Sequence, residues 1–317
     1  MDTQHYPAAH FIKEIGRGRK GARALSRDDA RDLYAAMLDG RVSDLELGAI
    51  VLAMRIKGES VDELAGFLAA AEASFAPLPV PPGEFAPVLI PSYNGSRKLP
   101  NLTPLLALLL ARAGAPVLVH GVRRDPGRVT TAEIFAELGV TAGDAADASA
   151  AWAHGKPAFI AIDVLAPSLA RLLALRERLG VRNSTHTLVK ILQPFDGPAL
   201  RLVSYTHPEY LESLGALFLL PEQARRGDAF LMRGTEGETV ANANRGQQVD
   251  WFHGGARTVL IERDPPTDAV LALPAADPAA TAAWIGAALR GEVPVPQPIL
   301  EQVEQVLTAS RSLAQAR

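Results

Sequence analysis

The loop at residues 91–98 contains the residue types that hold an anionic phosphate group. It follows an apolar run at 87–90, which predicts a short buried strand, and it leads to Thr103, which predicts the N-cap of a helix. Backbone N–H groups and the positive end of the helix dipole would face an anion there, and Arg97 and Lys98 would add two full charges. The loop contains neither a P-loop pattern nor Gly-x-Gly-x-x-Gly, so an ordinary strand-to-helix connection with solvated cations is the alternative interpretation.

Positive charge is concentrated in a few segments of a chain that is nearly neutral overall. The formal net charge is −3, which argues against a uniformly basic nucleic-acid binder. Lysine and arginine are nevertheless frequent in residues 11–31, 91–128 and 171–190, whereas acidic residues lie largely downstream. This separation favours one strongly positive face. The cations that we expect to contact phosphate are Arg17, Arg19, Lys20, Arg97, Lys98, Arg123, Arg182 and Lys190, with Lys13 and Arg201 as weaker candidates.

Length and composition predict a globular protein of more than one domain. At 317 residues the chain has room for two domains of roughly 150 residues each. It contains no cysteine, which excludes a disulfide framework, a thiolate metal site and a cysteine nucleophile. The first residues lack the basic-then-apolar order of a secretory signal, and the longest apolar run, at 102–111, is too short to cross a bilayer. We therefore expect a cytoplasmic protein.

The order of helix and strand patterns predicts a small helical domain and a larger α/β domain. Ser26, Ser43 and Ser60 each precede an acidic residue by three positions and an apolar stripe of helical spacing, so each predicts the start of a helix. Strands are predicted at 87–90, 116–120, 158–162, 200–205, 229–232 and 258–261. Helices are predicted near 103–113, 130–138, 144–153, 208–220, 278–289 and 298–314. Such alternation indicates a mainly parallel sheet, whose ligands gather at the carboxyl ends of the strands.

The predicted domain boundaries follow from composition. Residues 1–76 are predicted to form a helical domain, and a helical pair within 166–194 is expected to pack back onto it. The proline-rich stretch 77–83 cannot continue a helix and is predicted to be a linker. Residues 84–165 and 195–317 form the α/β domain.

Short segments along nearly the whole chain resemble the anthranilate phosphoribosyltransferase superfamily, and most of all its YbiB-like branch of nucleic-acid-binding paralogues. The segments are 12–18, 44–48, 55–59, 90–95, 119–122, 180–184, 207–210 and 234–238. The resemblance implies a small helical domain, a larger α/β domain and a homodimer that forms through the helical domains.

The chain departs from the pattern of the catalytic members at the loop that carries their chemistry. Those members have Gly-Thr-Gly-Gly-Asp where this chain has Pro-Ser-Tyr-Asn-Gly at 91–95, so side chains replace glycines that let the backbone approach a pyrophosphate. Their Asp-Glu metal pair aligns with Thr239 and Val240, which cannot coordinate magnesium, although Glu236 and Glu238 leave a shifted metal site open. No catalytic residue, metal ligand or cofactor is therefore predicted. The remnant of the donor site comprises Ser92, Tyr93, Asn94, Gly95, His120 and Gly121.

These observations favour a homodimer that binds DNA or RNA without sequence specificity through a basic groove. The alternative is a phosphoribosyltransferase or related glycosyltransferase that uses a phosphoribosyl donor and magnesium, with Asn94, Arg123 and Glu236 near the reaction. A third possibility is a scaffold whose helical faces bind only protein.

Overall fold

The computed structural model describes residues 4–18, 20–265 and 271–316. The chain divides into two compact units, a helical unit of residues 1–76 and 166–194 and a sheet unit of residues 77–165 and 195–317. The predicted fold class, a small helical domain with a larger and mainly parallel α/β domain, is confirmed.

Serine caps and apolar stripes define the helical unit. Its helices are α1 (Ala9–Ile15), α2 (Arg27–Leu38), α3 (Asp44–Lys57), α4 (Val61–Ala73), α9 (Pro167–Leu179) and α10 (Thr185–Leu188). Ser43 and Ser60 each form a full capping box at the start of α3 and α4. The segment 166–194 packs on the first helices, because the Tyr34 hydroxyl lies 2.8 Å from the hydroxyl of Thr185 in a buried hydrogen bond.

The sheet unit contains one eight-stranded sheet in the described residues, in the order β3-β4-β2-β1-β5-β6-β7-β8. The strands are β1 (Val88–Ser92), β2 (Val117–Gly121), β3 (Ala142–Gly143), β4 (Ala158–Ala161), β5 (Leu200–Tyr205), β6 (Ala229–Arg233), β7 (Val249–His253) and β8 (Ala256–Ile261). The pairs from β3 to β6 are parallel, and β7 and β8 add an antiparallel edge. Apolar residues of β1, β2 and β5 are almost fully buried, as expected of a sheet covered on both faces.

Helices on the sheet supply the rest of the core. They are α5 (Thr103–Arg112), α6 (Thr131–Glu137), α7 (Ala145–Ala153), α8 (Ile162–Leu165), α11 (Glu209–Phe218), α12 (Pro221–Arg225), α13 (Pro278–Leu289) and α14 (Gln297–Gln315). Among the described residues, no helix combines the length and the apolar character that a membrane span requires.

The structure differs from the sequence predictions at several places, including the short elements β3, α8 and α12, which were not predicted. β7 was not predicted, because its alternation contains Asp250, a buried carboxylate that pairs with Arg257 at 3.0 Å. Thr103 is the first residue of α5 and not its N-cap, since the side chain of Asn101 accepts the Thr103 N–H at 3.1 Å. The stretch 77–83 belongs to the sheet unit, where Leu78 is buried and forms a parallel bridge to Phe195.

Candidate functional site

Three connections meet at the carboxyl ends of the parallel strands. The 94–99 loop follows β1, the 122–130 loop follows β2, and the 235–238 turn follows β6. The N–H of Ser96 donates to the Val129 carbonyl at 2.9 Å, and the reverse bond is 2.8 Å long. The first two connections are thus fixed side by side at the edge of the sheet where a ligand of such a fold would bind.

Glu238 attaches the 235–238 turn to the 94–99 loop. Its side chain is fully buried, and Oε1 accepts the N–H groups of Asn94 at 2.9 Å and Gly95 at 2.7 Å. The amide nitrogen of Asn94 donates to the Gly237 carbonyl at 2.7 Å, and the Ser204 hydroxyl donates to the same carbonyl at 2.9 Å. The turn and the loop are therefore held together by several buried hydrogen bonds that reach across the sheet edge.

Glu236 accepts the next backbone N–H groups along the same loop. Its carboxylate accepts from Arg97 at 2.5 Å, from Lys98 at 3.0 Å and from Leu99 at 3.5 Å. Burial of the carboxyl group opposes ionisation, but the three N–H donors and the nearby positive charge of Arg128 outweigh it. They hold the pKa of Glu236 below its ordinary value.

The two glutamates correct one expectation from the sequence. The N–H groups of the 94–99 loop were predicted to face a phosphate, and carboxylates from the 235–238 turn accept them instead. The physical reason is that backbone N–H groups away from water need an acceptor. The sequence did not indicate this arrangement, because the partners lie 137 to 144 positions apart.

The described residues do not fit a magnesium ion at a shifted site. Magnesium takes six oxygen ligands in octahedral geometry, and the carboxylates of Glu236 and Glu238 already accept backbone N–H groups. One oxygen, Oε2 of Glu238, is buried without a hydrogen-bond partner. Within 4–18, 20–265 and 271–316, no group of three or more His, Cys, Asp or Glu side chains could hold a metal.

The remaining residues of the donor-site remnant are buried in the structure. The Tyr93 hydroxyl lies 2.8 Å from Nδ1 of His120, and the Ser92 hydroxyl donates to Thr131 at 2.8 Å. Burial lowers the pKa of His120 to about 3 and raises that of Tyr93 well above its ordinary value. Both side chains are therefore neutral near pH 7. Gly121 is required at the end of β2, because a Cβ there would meet the Ser92 carbonyl oxygen.

The cations predicted in the sheet unit are exposed. Arg97 and Lys98 point from the 94–99 loop, and Arg123 lies on the 122–130 loop beside Arg124. Arg123 pairs with Asp163 at 3.4 Å, but both side chains are about half exposed or more, so the pair contributes little and leaves the arginine accessible. The structure thus brings these cations to one edge of the sheet, on and beside the 94–99 loop.

The cations predicted near the N-terminus lie in the helical unit. Arg17 is exposed and pairs with Glu14 at 2.6 Å, and Lys20 and Lys13 are also exposed. Arg19 lies outside the described residues.

A second group of cations in the helical unit surrounds His186. Burial of the imidazole and then the positive charges of Arg182, Arg176 and Lys190 lower the pKa of His186 to about 4. Arg182 and Lys190 were predicted as phosphate contacts, whereas Arg176 was interpreted as part of a solvated helix face. The positive charge of Arg176 therefore acts on His186 together with the charges of Arg182 and Lys190.

Arg201 is not available to a phosphate, contrary to its selection as a weaker candidate. It is 2% exposed on β5, and its guanidinium donates to the side chain of Gln223 at 2.7 Å and to the Gln223 carbonyl at 3.0 Å. The same group lies 5.0 Å from the centre of the Phe218 ring. The position of Arg201 in the alternating pattern of the strand did not predict that its side chain would point into the core.

Comparisons with known proteins agree with this architecture. Residues 9–74 match the helical bundle domain of a glycosyl transferase family. The uncharacterized protein YbiB of Escherichia coli (strain K12) is 45% identical over 306 residues, which cover 96% of this chain and 94% of that protein. The anthranilate phosphoribosyltransferase of Rhodopseudomonas palustris (strain BisA53) is 35% identical over 130 residues, which cover 41% of this chain and 38% of that protein.

The fold is also shared with a solved structure. The crystal structure of anthranilate phosphoribosyltransferase from Thermus thermophilus superposes with a TM-score of 0.72 at 21% identity, and covers 96% of this chain and 89% of that one. The chain therefore belongs to the anthranilate phosphoribosyltransferase superfamily, and within it to the YbiB-like branch.

Proposed function

We propose that this protein binds nucleic acid without sequence specificity, through cations on a phosphoribosyltransferase-type scaffold. The observation that carries the proposal is the contrast within one loop. Its backbone N–H groups are taken by Glu236 and Glu238, whereas the side chains of Arg97 and Lys98 are exposed. Because the backbone N–H groups of this loop are already occupied, the loop is less suited to enclosing a small phosphoribosyl donor. Its exposed cations are better suited to contact the phosphates on the outside of a polyanion.

The energetic basis of such binding is the release of counterions. Each phosphate that a lysine or arginine neutralises on a single strand contributes about −0.7 to the slope of log affinity against log salt. Phosphate contacts of this kind position a strand but carry no sequence information. Aromatic residues make up only 6% of the chain, which favours an electrostatic groove over a base-stacking platform.

The homodimer is the second part of the proposal, and its support is an apolar stripe on α3. Leu45, Leu52 and Ile56 are 86%, 48% and 61% exposed, and their spacing of seven and four places them on one side of the helix. Large apolar side chains in one exposed row are typical of a surface that another chain covers. A second copy would bury the same stripe and could extend the row of cations that follows a phosphate backbone.

Sedimentation velocity tests the dimer. Leu52→Lys is expected to shift the protein to a monomer, and Leu219→Lys serves as the matched control, because Leu219 is similarly exposed at 42% but lies in the sheet unit. A dimer of unchanged stability in Leu52→Lys would contradict the assignment of this stripe.

Direct binding tests the nucleic-acid function. Fluorescently labelled single-stranded DNA, double-stranded DNA and RNA of equal length are titrated with the purified protein, each in two unrelated sequences. We expect binding with equal affinity for the two sequences of each kind. The absence of binding at low salt would contradict the proposal.

The enzyme alternative has its own test. Incubation with a phosphoribosyl donor, magnesium and a panel of aromatic amines or bases would release pyrophosphate if the chain were a transferase. We expect no release above the level without protein, because the carboxylates nearest the loop already accept backbone N–H groups.

A further inference from the structure

A cavity of about 340 Å³, the amino-edge pocket, lies at the amino ends of β2 and β4, which are neighbouring parallel strands. It is bounded by the proline-rich segment 79–83, by residues 114–116 before β2, and by residues of α7 with Gly155, which precedes β4. The candidate site lies at the carboxyl ends of the strands, so the pocket is at the opposite edge of the sheet. Its volume is within the range of roughly 300–1,000 Å³ that is usual for small-molecule pockets.

The proline-rich wall of the pocket is anchored to the rest of the sheet unit. The N–H of Val80 donates to the carboxylate of Asp196 at 3.0 Å, and the N–H of Asp196 donates to the Leu78 carbonyl at 2.9 Å. A Cβ at Gly197 would lie 3.0 Å from Cγ2 of Val80, so the two segments pack closely. Because the prolines also restrict the backbone, this wall is formed before a ligand arrives and costs little entropy to order.

Trp152 forms an aromatic wall of the pocket. Its indole N–H donates to the Val117 carbonyl at 2.8 Å, and its ring centre lies 5.7 Å from that of Phe195. These contacts fix the indole, although the side chain is only partly buried. A fixed and partly exposed aromatic ring beside prolines offers a flat apolar surface on which another ring can pack.

The lining of the amino-edge pocket disfavours a charged ligand. None of the described residues that line it has a charged side chain. An ionised ligand would therefore lose hydration in the pocket without gaining an ion pair with the lining. The composition of the lining favours a neutral molecule.

The lining also offers hydrogen-bond acceptors rather than donors. Four of its residues are prolines, which have no N–H. The N–H groups of Val80 and Gly155 and the indole N–H of Trp152 already donate within the chain. Three carbonyls of the wall accept no hydrogen bond from the described residues, and they belong to Pro79, Pro81 and Pro82. A ligand that carries an O–H or N–H donor would match these acceptors.

We propose that the amino-edge pocket binds a small, neutral aromatic molecule that carries an O–H or N–H donor, as a phenol does. The ring packs against Trp152 and the prolines, and the donor bonds to one of the wall carbonyls. The pocket contains none of the cations that we propose to contact nucleic acid. The inference therefore does not depend on the proposed function.

NMR titration of the full chain with phenol tests the pocket. The chain has three tryptophans, and Trp251→Phe and Trp284→Phe assign their indole N–H resonances. We expect phenol to shift the Trp152 resonance saturably. Anisole keeps the ring but lacks the donor, so it should bind about fivefold more weakly, the value for one lost hydrogen bond. Benzoate is charged and should bind at least about tenfold more weakly than phenol.

Two variants fill the pocket from exposed positions on α7, namely Ser149→Phe and Ala153→Phe. The matched control is Ser213→Phe on α11, because the Ser213 hydroxyl donates to the carbonyl four residues earlier, as that of Ser149 does. We expect both filled variants to bind phenol at least about tenfold more weakly than the native chain, and the control to match the native chain. Circular dichroism establishes that each variant is folded.

Three results would overturn the proposal. The first is a Trp152 resonance that phenol does not shift saturably in the native chain. The second is benzoate that binds as tightly as phenol. The third is native affinity for phenol in both folded Phe variants of α7, which would place the bound phenol outside the pocket.

Discussion

Acid should destabilise the sheet unit through His120. This imidazole is completely buried on β2, and its Nδ1 lies 2.8 Å from the hydroxyl of Tyr93, which is also buried. Burial lowers the pKa of His120 to about 3, whereas an unfolded histidine titrates at 6.5. Between these two values the unfolded chain binds a proton and the folded chain does not, so the free energy of unfolding falls as the pH drops through this window.

The magnitude follows from the difference in pKa. Each pH unit below about 6.5 removes roughly 1 kcal/mol, so acidification from about pH 7 to about pH 4.5 should remove about 3 kcal/mol through His120. Well above pH 6.5 the imidazole is neutral in both the folded and the unfolded chain, so the contribution of His120 does not change with pH there.

Urea unfolding at the two pH values measures the effect. The test variant combines His120→Phe with Tyr93→Phe, because the tyrosine hydroxyl would otherwise lose its partner in a buried place. Tyr93→Phe alone is the control, since it keeps the titrating imidazole. The native chain and the control should lose about 3 kcal/mol more than the double variant between the two pH values. Equal losses in all three proteins would refute the reasoning.

Three further predictions concern packing and charge. Lys57→Met should lower the free energy of unfolding by about 3 kcal/mol in a urea titration, because it removes the only cation that pairs with the fully buried carboxylate of Glu63 in the described residues, at 2.6 Å. Arg182→Gln should raise the pKa of His186 above about 4 in an NMR titration, because it removes the charge that acts most strongly on the imidazole after burial. Gly121→Ala should lower the melting temperature and cost about 3 kcal/mol, because its Cβ would meet the last carbonyl oxygen of β1.

Local patterns predicted most of the elements that frame the site. The serines before α3 and α4 indicated their helix starts, because a cap and its acidic partner lie only three positions apart. The apolar runs at β1 and β2 indicated buried strands for the same local reason. The departure of 91–95 from the glycine-rich pattern likewise predicted a loop unlike that of the catalytic members.

The interior of the site could not be predicted, because it depends on contacts between distant segments. In the sequence, Glu236 and Glu238 were possible metal ligands. Only the fold shows that their carboxylates accept N–H groups of the 94–99 loop. The glycine after Glu236 was a signal of a tight turn, but it did not indicate where the turn would lie. The burial of Arg201 could not be predicted either, because nothing in the neighbouring sequence distinguishes a buried arginine from an exposed one in a strand.

The central claim is tested most directly by the salt dependence of oligonucleotide binding. A labelled single strand without a 5′-phosphate is titrated at several salt concentrations with the native chain and with Arg97→Ala/Lys98→Ala. Lys156→Ala/Arg263→Ala is the matched control, because both of its residues are exposed cations of the same unit.

We predict a steep negative slope for the native chain, the same slope for the control, and a slope smaller by about 1.4 for Arg97→Ala/Lys98→Ala, the value for two lost phosphate contacts. An affinity that does not change with salt would contradict the electrostatic account. A native slope in Arg97→Ala/Lys98→Ala would contradict the placement of the strand at the 94–99 loop.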